Sequence, residues 1–250
     1  MDVFGPLLLQ MEWGADEALE DAPVDRLREA PRAPEPLPAR VVQATPAVVP
    51  PGTPVERAIR AAAGADTLEE LKAAIAGFDA SPLRDMATNM VFASGNPGSG
   101  LLLIGGPPAA DEDRAGAPFA GPDGALLDQM LGSIGLTRAA MLLAPLIPWR
   151  PPGGRVPTPG ELQLHRPFLM RLIALTMPQR IVLFGMMTAG TVLGATPRAR
   201  SIGWTGAVIE GQSAQVLILP AIADIRKTPL RRKDAWAGLR ALRRALDDVS

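Results

Sequence analysis

Short apolar runs alternate with amphipathic stretches along most of this chain. Leu101-Leu-Leu-Ile104, Met141-Leu-Leu143, Ile181-Val-Leu-Phe184 and Val216-Leu-Ile-Leu219 are apolar at every position. Runs this short, with no polar face, predict strands buried on both sides. Between them the spacing is helical. Thr67-Leu-Glu-Glu70 reads as a capping box, with Leu68, Leu71, Ile75 and Phe78 behind it, and predicts a helix over 67–78. A second helix is predicted from Ala125 to Ile134, stopped by Gly135. Thr158-Pro159-Gly160-Glu161 supplies a cap, a first-turn proline and an acid for a helix running to Thr176. A short helix is expected near Met187 to Leu193, and a terminal one with a basic face from Leu230 to Leu246.

This alternation predicts an α/β fold: a three-layer α/β/α arrangement around a central four-stranded parallel sheet. Ligands of such sheets sit at the carboxyl ends of the strands. Those ends are Gly105–Ala109, Ala144–Arg155, Gly185–Thr188 and Pro220–Lys227. The first residues follow another pattern. Residues 1–30 carry an apolar run and then an acid-rich stretch, read as a short helical segment. Residues 31–54 hold eight prolines, the composition of an extended, semi-rigid linker. The folded domain is therefore assigned to 55–250.

Composition narrows the chemistry. The chain has 250 residues, 47% hydrophobic and 20% charged, which suits a globular domain. It contains no cysteine and one histidine, His165. Disulfides, thiol nucleophiles, cysteine-rich zinc sites, thiolate iron–sulfur clusters and two-histidine mechanisms are all excluded. The net charge of −1 conceals an asymmetry: 1–40 sum to −5, from nine acids and four arginines, and 198–250 to +5, from ten cations and five acids. The C-terminal part is thus a candidate polyanion-facing surface. The longest apolar candidate, Ala139–Trp149, is broken by Pro145 and Pro148, so no membrane span is expected. The N-terminus lacks the basic start of a secretory signal, and the cytoplasm is the expected location.

The strand-end loops carry the candidate residues. Gly105-Gly106-Pro107-Pro108 has neither the spacing of a dinucleotide fingerprint nor a phosphate-loop lysine. Asp111-Glu112-Asp113 reads either as a solvated loop or as a source of acid chemistry. Phe119 is a plug beneath its loop or a stacking platform for a planar ligand. Arg150 and Arg155 flank a rigid Pro-Pro-Gly-Gly turn, read either as a structural loop clamped on a helix or as one suited to phosphate contact. Arg226, Lys227, Arg231, Arg232 and Lys233 place five cations in eight positions, at a helix start where positive charge opposes the dipole. His165, inside a helix, is read as a packed or surface residue rather than a catalyst.

Taken in order, these segments resemble the uracil-DNA glycosylase superfamily, within it the family 4 branch. The resemblance is carried by Val91-Phe-Ala-Ser-Gly-Asn-Pro97, Ala110–Gly121 with Leu126-Leu-Asp128, Trp149-Arg-Pro-Pro-Gly153 with Arg155 and Pro157-Thr-Pro159, Arg166-Pro-Phe-Leu169, Leu219-Pro220 and Lys233-Asp-Ala-Trp236. It implies removal of uracil from DNA by base flipping. It also implies an acid after the first strand, an asparagine after the second, a histidine after the last and a stacking phenylalanine. Those positions fall at Gly106, Pro145, Ala223 and Phe119; only the phenylalanine is present. Asp111, Glu112, Asp113 or Asp224 stand as substitutes for the lost acid. Ser81, Trp149 and His165 lie where the resemblance implies cluster ligands, and no thiolate is available.

The sequence thus implies a glycosylase-fold module of base-excision repair that binds DNA and bases but has lost its catalytic groups. No cofactor and no metal are expected. DNA is the expected partner, and the N-terminal region could recruit a protein partner. An active enzyme with a rebuilt site, or a protein-interaction module on a retired fold, are the alternatives.

Overall fold

Threonine caps set the first helices. In the computed structural model, which describes residues 52–194 and 204–247, the Thr53 hydroxyl accepts from the Glu56 amide at 3.2 Å. The Glu56 carboxylate accepts in return from the Thr53 amide at 2.8 Å. Helix α1 (Pro54–Ala63) follows. At Thr67 the reciprocal bond shifts by one residue: Glu70 accepts from the Asp66 amide at 2.7 Å. Helix α2 (Leu68–Gly77) begins there. The N-terminal segment 1–30 and linker residues 31–51 lie outside the described residues.

The remaining elements are β1 (Ser94–Gly95), β2 (Leu101–Ile104), α3 (Ala110–Ala115), α4 (Gly121–Gly132), β3 (Leu142–Ala144), α5 (Pro159–Thr176), β4 (Arg180–Phe184), α6 (Met186–Leu193), β5 (Trp204–Ile209), β6 (Gln212–Leu219), α7 (Ile222–Lys227) and α8 (Pro229–Asp247). The sheet order is β1-β3-β2-β4-β6-β5. Its inner four strands are parallel, with Leu102 opposite Leu142 and Ile181, and Leu183 opposite Ile218.

Alternate residues of these strands feed two cores. Leu102, Ile104, Ile181 and Leu183 pack with Ala58 and Ala62 of α1, Leu71 and Ile75 of α2, and Phe168 and Leu172 of α5. Leu101, Leu103, Val182, Phe184 and Leu219 pack with Leu127 and Leu131 of α4 and Leu239 and Leu242 of α8. This is the three-layer arrangement expected of continuous apolar strands. On the second face α8 approaches closely, because a Cβ at Gly238 would collide with Leu219.

Among the described residues, the expected sheet of four strands is corrected to six. Two antiparallel edge strands were missed because neither is an apolar run. β1 has only two residues, and Gly95 (φ +109°) meets β3 where any Cβ would strike the Met141 carbonyl. β5 is mostly exposed or half-buried, with only Ile209 buried, and joins β6 through Glu210-Gly211, both with positive φ (+50° and +78°). That is the two-residue turn whose twist matches a hairpin. The expected loop at Asp111–Asp113 is also corrected: it is the first turn of α3, where acids favour the positive end of the helix.

Candidate functional site

The parallel register brings the exits of β2, β3, β4 and β6 to one edge of the sheet. Backbone bonds close this edge. The Gly105 amide donates to the Ala144 carbonyl at 2.9 Å, Leu146 to Gly106 at 3.1 Å, and Gly185 to Leu219 at 2.8 Å. The buried Thr188 hydroxyl of α6 donates to the Gly105 carbonyl at 3.0 Å. β2 and β4, two neighbouring strands, are thereby tied at the exit.

Phe119 lies beneath that edge as a plug under its loop, 5% exposed and packed into the core with Leu103, Leu127 and Phe184. Its ring meets Phe184 edge to face, with centroids 5.9 Å apart and planes at 69°. A Cβ on Gly105 would lie 2.9 Å from the ring carbon Cζ, so only glycine there lets the ring seat against the β2 exit. Phe119 has φ +54°, a conformation disfavoured for a bulky residue. Two charged side chains fix its backbone. The Glu112 carboxylate accepts from the Phe119 amide at 2.6 Å, and Arg138 donates to the Phe119 carbonyl at 2.7 Å. Arg138 is itself held by Asp128 through two bonds of 2.6 and 3.1 Å. Sequence reasoning missed Arg138, which lies 19 residues from its partner with no spacing to reveal it.

The candidate acids are largely committed elsewhere. Glu112 also accepts from the Ala109 amide at 2.7 Å, spanning both ends of the α3 loop. Burial raises its pKa, the two amides oppose this, and the charges of Asp123 and Asp111 reinforce it. Asp113 is buried and accepts from the Thr88 and Asn89 amides at 2.8 and 3.1 Å, pinning the segment that leads to β1. Asp111 pairs with Arg114 at 2.5 Å. Asp224 is exposed in the first turn of α7.

The other resemblance-implied positions are apolar. Gly106 has no side chain and lies half-buried in the β2 exit. Pro145 is buried and lines a cavity of about 30 Å³ with Val91, Phe92, Leu146 and His165. β6 ends at Leu219, so the residue leaving the sheet edge is Pro220, and Ala221 caps α7. Ala223 sits inside that helix rather than at the exit, and both positions lack a titratable group.

The candidate cations separate into two groups. Arg155 is locked: it grips Glu161 with bonds of 2.8 and 2.6 Å. This pair pulls the Glu161 pKa down to about 2. Because Glu161 also accepts from the Thr158 amide at 2.7 Å, Arg155 secures the start of α5. Arg226 bonds Asp123 at 2.6 Å, tying α7 to the first turn of α4, just beyond Phe119. Arg232 turns back to the Ile225 and Arg226 carbonyls, both at 3.3 Å. Arg231 lies 3.7 Å from Asp234, while Lys227 and Lys233 are exposed. Arg150 is half-buried, and its Nε is buried without a hydrogen-bond partner.

Ser81, Trp149 and His165 do converge. Ser81 Oγ and His165 Nε2 are 3.0 Å apart, and the Trp149 and His165 rings lie 5.4 Å apart. All three are at most 3% exposed. Burial lowers the His165 pKa to about 4. His165 Nδ1 is buried without a hydrogen-bond partner, yet a serine hydroxyl, an indole and a single imidazole do not fit an iron–sulfur cluster, which needs thiolates. Among the described residues, no three of histidine, aspartate and glutamate gather as a metal-holding group. No helix among them is long and apolar enough to cross a membrane.

A family model described as the uracil DNA glycosylase superfamily matches residues 92–243. A protein of Pyrobaculum aerophilum named type-4 uracil-DNA glycosylase is 31% identical over 171 residues, 66% of this chain and 87% of that one. Proteins of the same name from Archaeoglobus fulgidus and Thermotoga maritima are 34% and 35% identical. They cover 50% and 42% of this chain, and 62% and 55% of their own.

Proposed function

Since the chain belongs to the uracil-DNA glycosylase superfamily, we propose that it serves base-excision repair as a DNA- and base-binding module with little remaining glycosidic-bond cleavage. One observation carries this reading: the exits of the inner strands present Gly106, Pro145 and Pro220, with Ala223 behind, where bond cleavage calls for polar groups. A single lost electrostatic donor typically costs ~10²–10³ in rate. Loss of an acid, an amide and an imidazole together leaves little chemistry, even without additivity.

Recognition of a flipped base makes smaller demands. It needs an aromatic face, a confined edge and phosphate contacts. Phe119 supplies the face. Of the cations, Arg150, Lys227, Arg231 and Lys233 suit phosphate contact best, while Arg226 and Arg232 shape the α7–α8 corner. Arg155 is better suited to holding α5.

The named relatives favour a second reading, an active enzyme with a rebuilt site. Asp111 or Asp224 would then orient water. Neither carboxylate could replace the histidine, because it would repel the departing base anion.

Equilibrium binding tests the first reading. Oligonucleotides carrying uracil, thymine or an abasic analogue at one position are compared at two salt concentrations. Tighter binding to the base-bearing strands, lost in Phe119→Ala, with affinity falling as salt rises, is the expected result. Salt-insensitive absence of binding contradicts it and points to a protein partner.

A further inference from the structure

Phe119 owes its position to charged groups that bond its backbone. Its φ of +54° is costly for a phenylalanine, and a conformation of that kind persists only where its surroundings impose it. The surroundings here are specific. Glu112 holds the Phe119 amide and Arg138 the Phe119 carbonyl. A Cβ on Gly124 would collide with that same carbonyl, so α4 begins hard against it. Through its second oxygen, Glu112 also holds Ala109, at the end of the β2 exit loop.

We infer that Glu112 and Arg138 are positioning residues that clamp Phe119 at both backbone ends and set the base shelf at a fixed distance from the β2 exit. This rests on the base-binding role proposed above for Phe119. Glu112 is thereby assigned a positioning role in place of an acid–base one: both its oxygens already accept backbone amides at 2.6 and 2.7 Å.

The ionised carboxylate is the form that accepts both amides. A protonated Glu112 would point its hydroxyl at one of them and lose that bond. The groups acting on Glu112 are Asp111 on its own helix, itself paired with Arg114, and Asp123 on α4, itself paired with Arg226 of α7. Arg138 acts from the far side of Phe119. With Glu112 raised by burial, acidification should loosen the shelf before ordinary surface carboxylates titrate.

The test measures the affinity ratio between uracil-bearing and abasic oligonucleotides. It uses the full chain and Phe119→Ala, Glu112→Gln and Arg138→Gln variants, from neutral pH into the acid range. Stacking of one base is worth about 5-fold or more in this ratio. Glu112→Gln and Arg138→Gln should each lower it toward the Phe119→Ala value. They should leave the salt dependence, which reports the phosphate contacts, as in the parent; that also shows the variants are folded. The parent ratio should fall with acidification, and the Glu112→Gln ratio should be flat. If Phe119→Ala loses the ratio while both clamp variants keep it, the clamp is overturned and the base-binding role stands. If Phe119→Ala itself keeps the ratio, the base-binding role fails, and the clamp with it.

Discussion

Ser81 and His165 are separated by 84 positions in the chain yet meet at 3.0 Å, both almost wholly buried. The contact joins the segment after α2 to the middle of α5, beside the Trp149 ring. It gives this part of the domain a tie of hydroxyl, imidazole and indole.

That tie is acid-sensitive. The folded His165 pKa, about 4, lies below the ordinary histidine value of 6.5, so the unfolded chain binds the extra proton first. Stability should be full above pH 6.5 and decline as pH falls toward 4. The shift corresponds to a loss on the order of 3 kcal/mol. Denaturant unfolding across this window should show the decline, and His165→Gln should flatten it. Glu161 acts lower: held at about 2 by Arg155, its contribution is present above the ordinary 4.5 and lost as pH falls toward 2.

Ser81→Ala should take the hydroxyl partner from His165 Nε2 and leave both nitrogens of the buried imidazole unpaired. A cost of about 1–3 kcal/mol is expected. Thermal unfolding checks it, and DNA affinity at neutral pH should be unchanged.

Arg150 and Arg155 should behave differently although five residues separate them. Arg155→Ala frees Glu161 at the start of α5 and should lower stability. Arg150→Ala should weaken DNA binding uniformly across sequences and reduce the salt slope by about one unit, with stability little altered. Equal effects on the salt slope would contradict the separation.

The core around α8 offers a steric check. Gly238→Ala would drive a methyl into Leu219, and overpacking of this kind costs typically about 1–3 kcal/mol. A neutral substitution, measured by denaturant midpoint, would contradict the close approach of α8 to β6.

The sequence exposed the inner sheet well, because Leu101–Ile104 and Ile181–Phe184 are buried on both faces and so carry no polar positions. It concealed what depends on backbone geometry. The hairpin at Glu210-Gly211 needs two positive φ angles, and its first residue is not one of the usual turn formers. At the site, Phe119 was legible as a lone loop aromatic. Its clamp was not, because Arg138 reaches it across tertiary structure. Asp113 looked like an accessible acid, but its neighbours in a charged run gave no sign that Thr88 and Asn89 would cover it. Arg155 likewise looked like a phosphate ligand, although Glu161 six residues on accepts from both its terminal nitrogens.

Uracil release from single- and double-stranded DNA by the purified full chain bears most directly on the proposed role. Release at or near the uncatalysed level is expected, with the same oligonucleotides still bound in a salt-dependent manner. Sustained turnover that disappears on changing Asp111 or Asp224 would mean that the apolar strand exits at Gly106, Pro145 and Pro220 have been rebuilt rather than emptied.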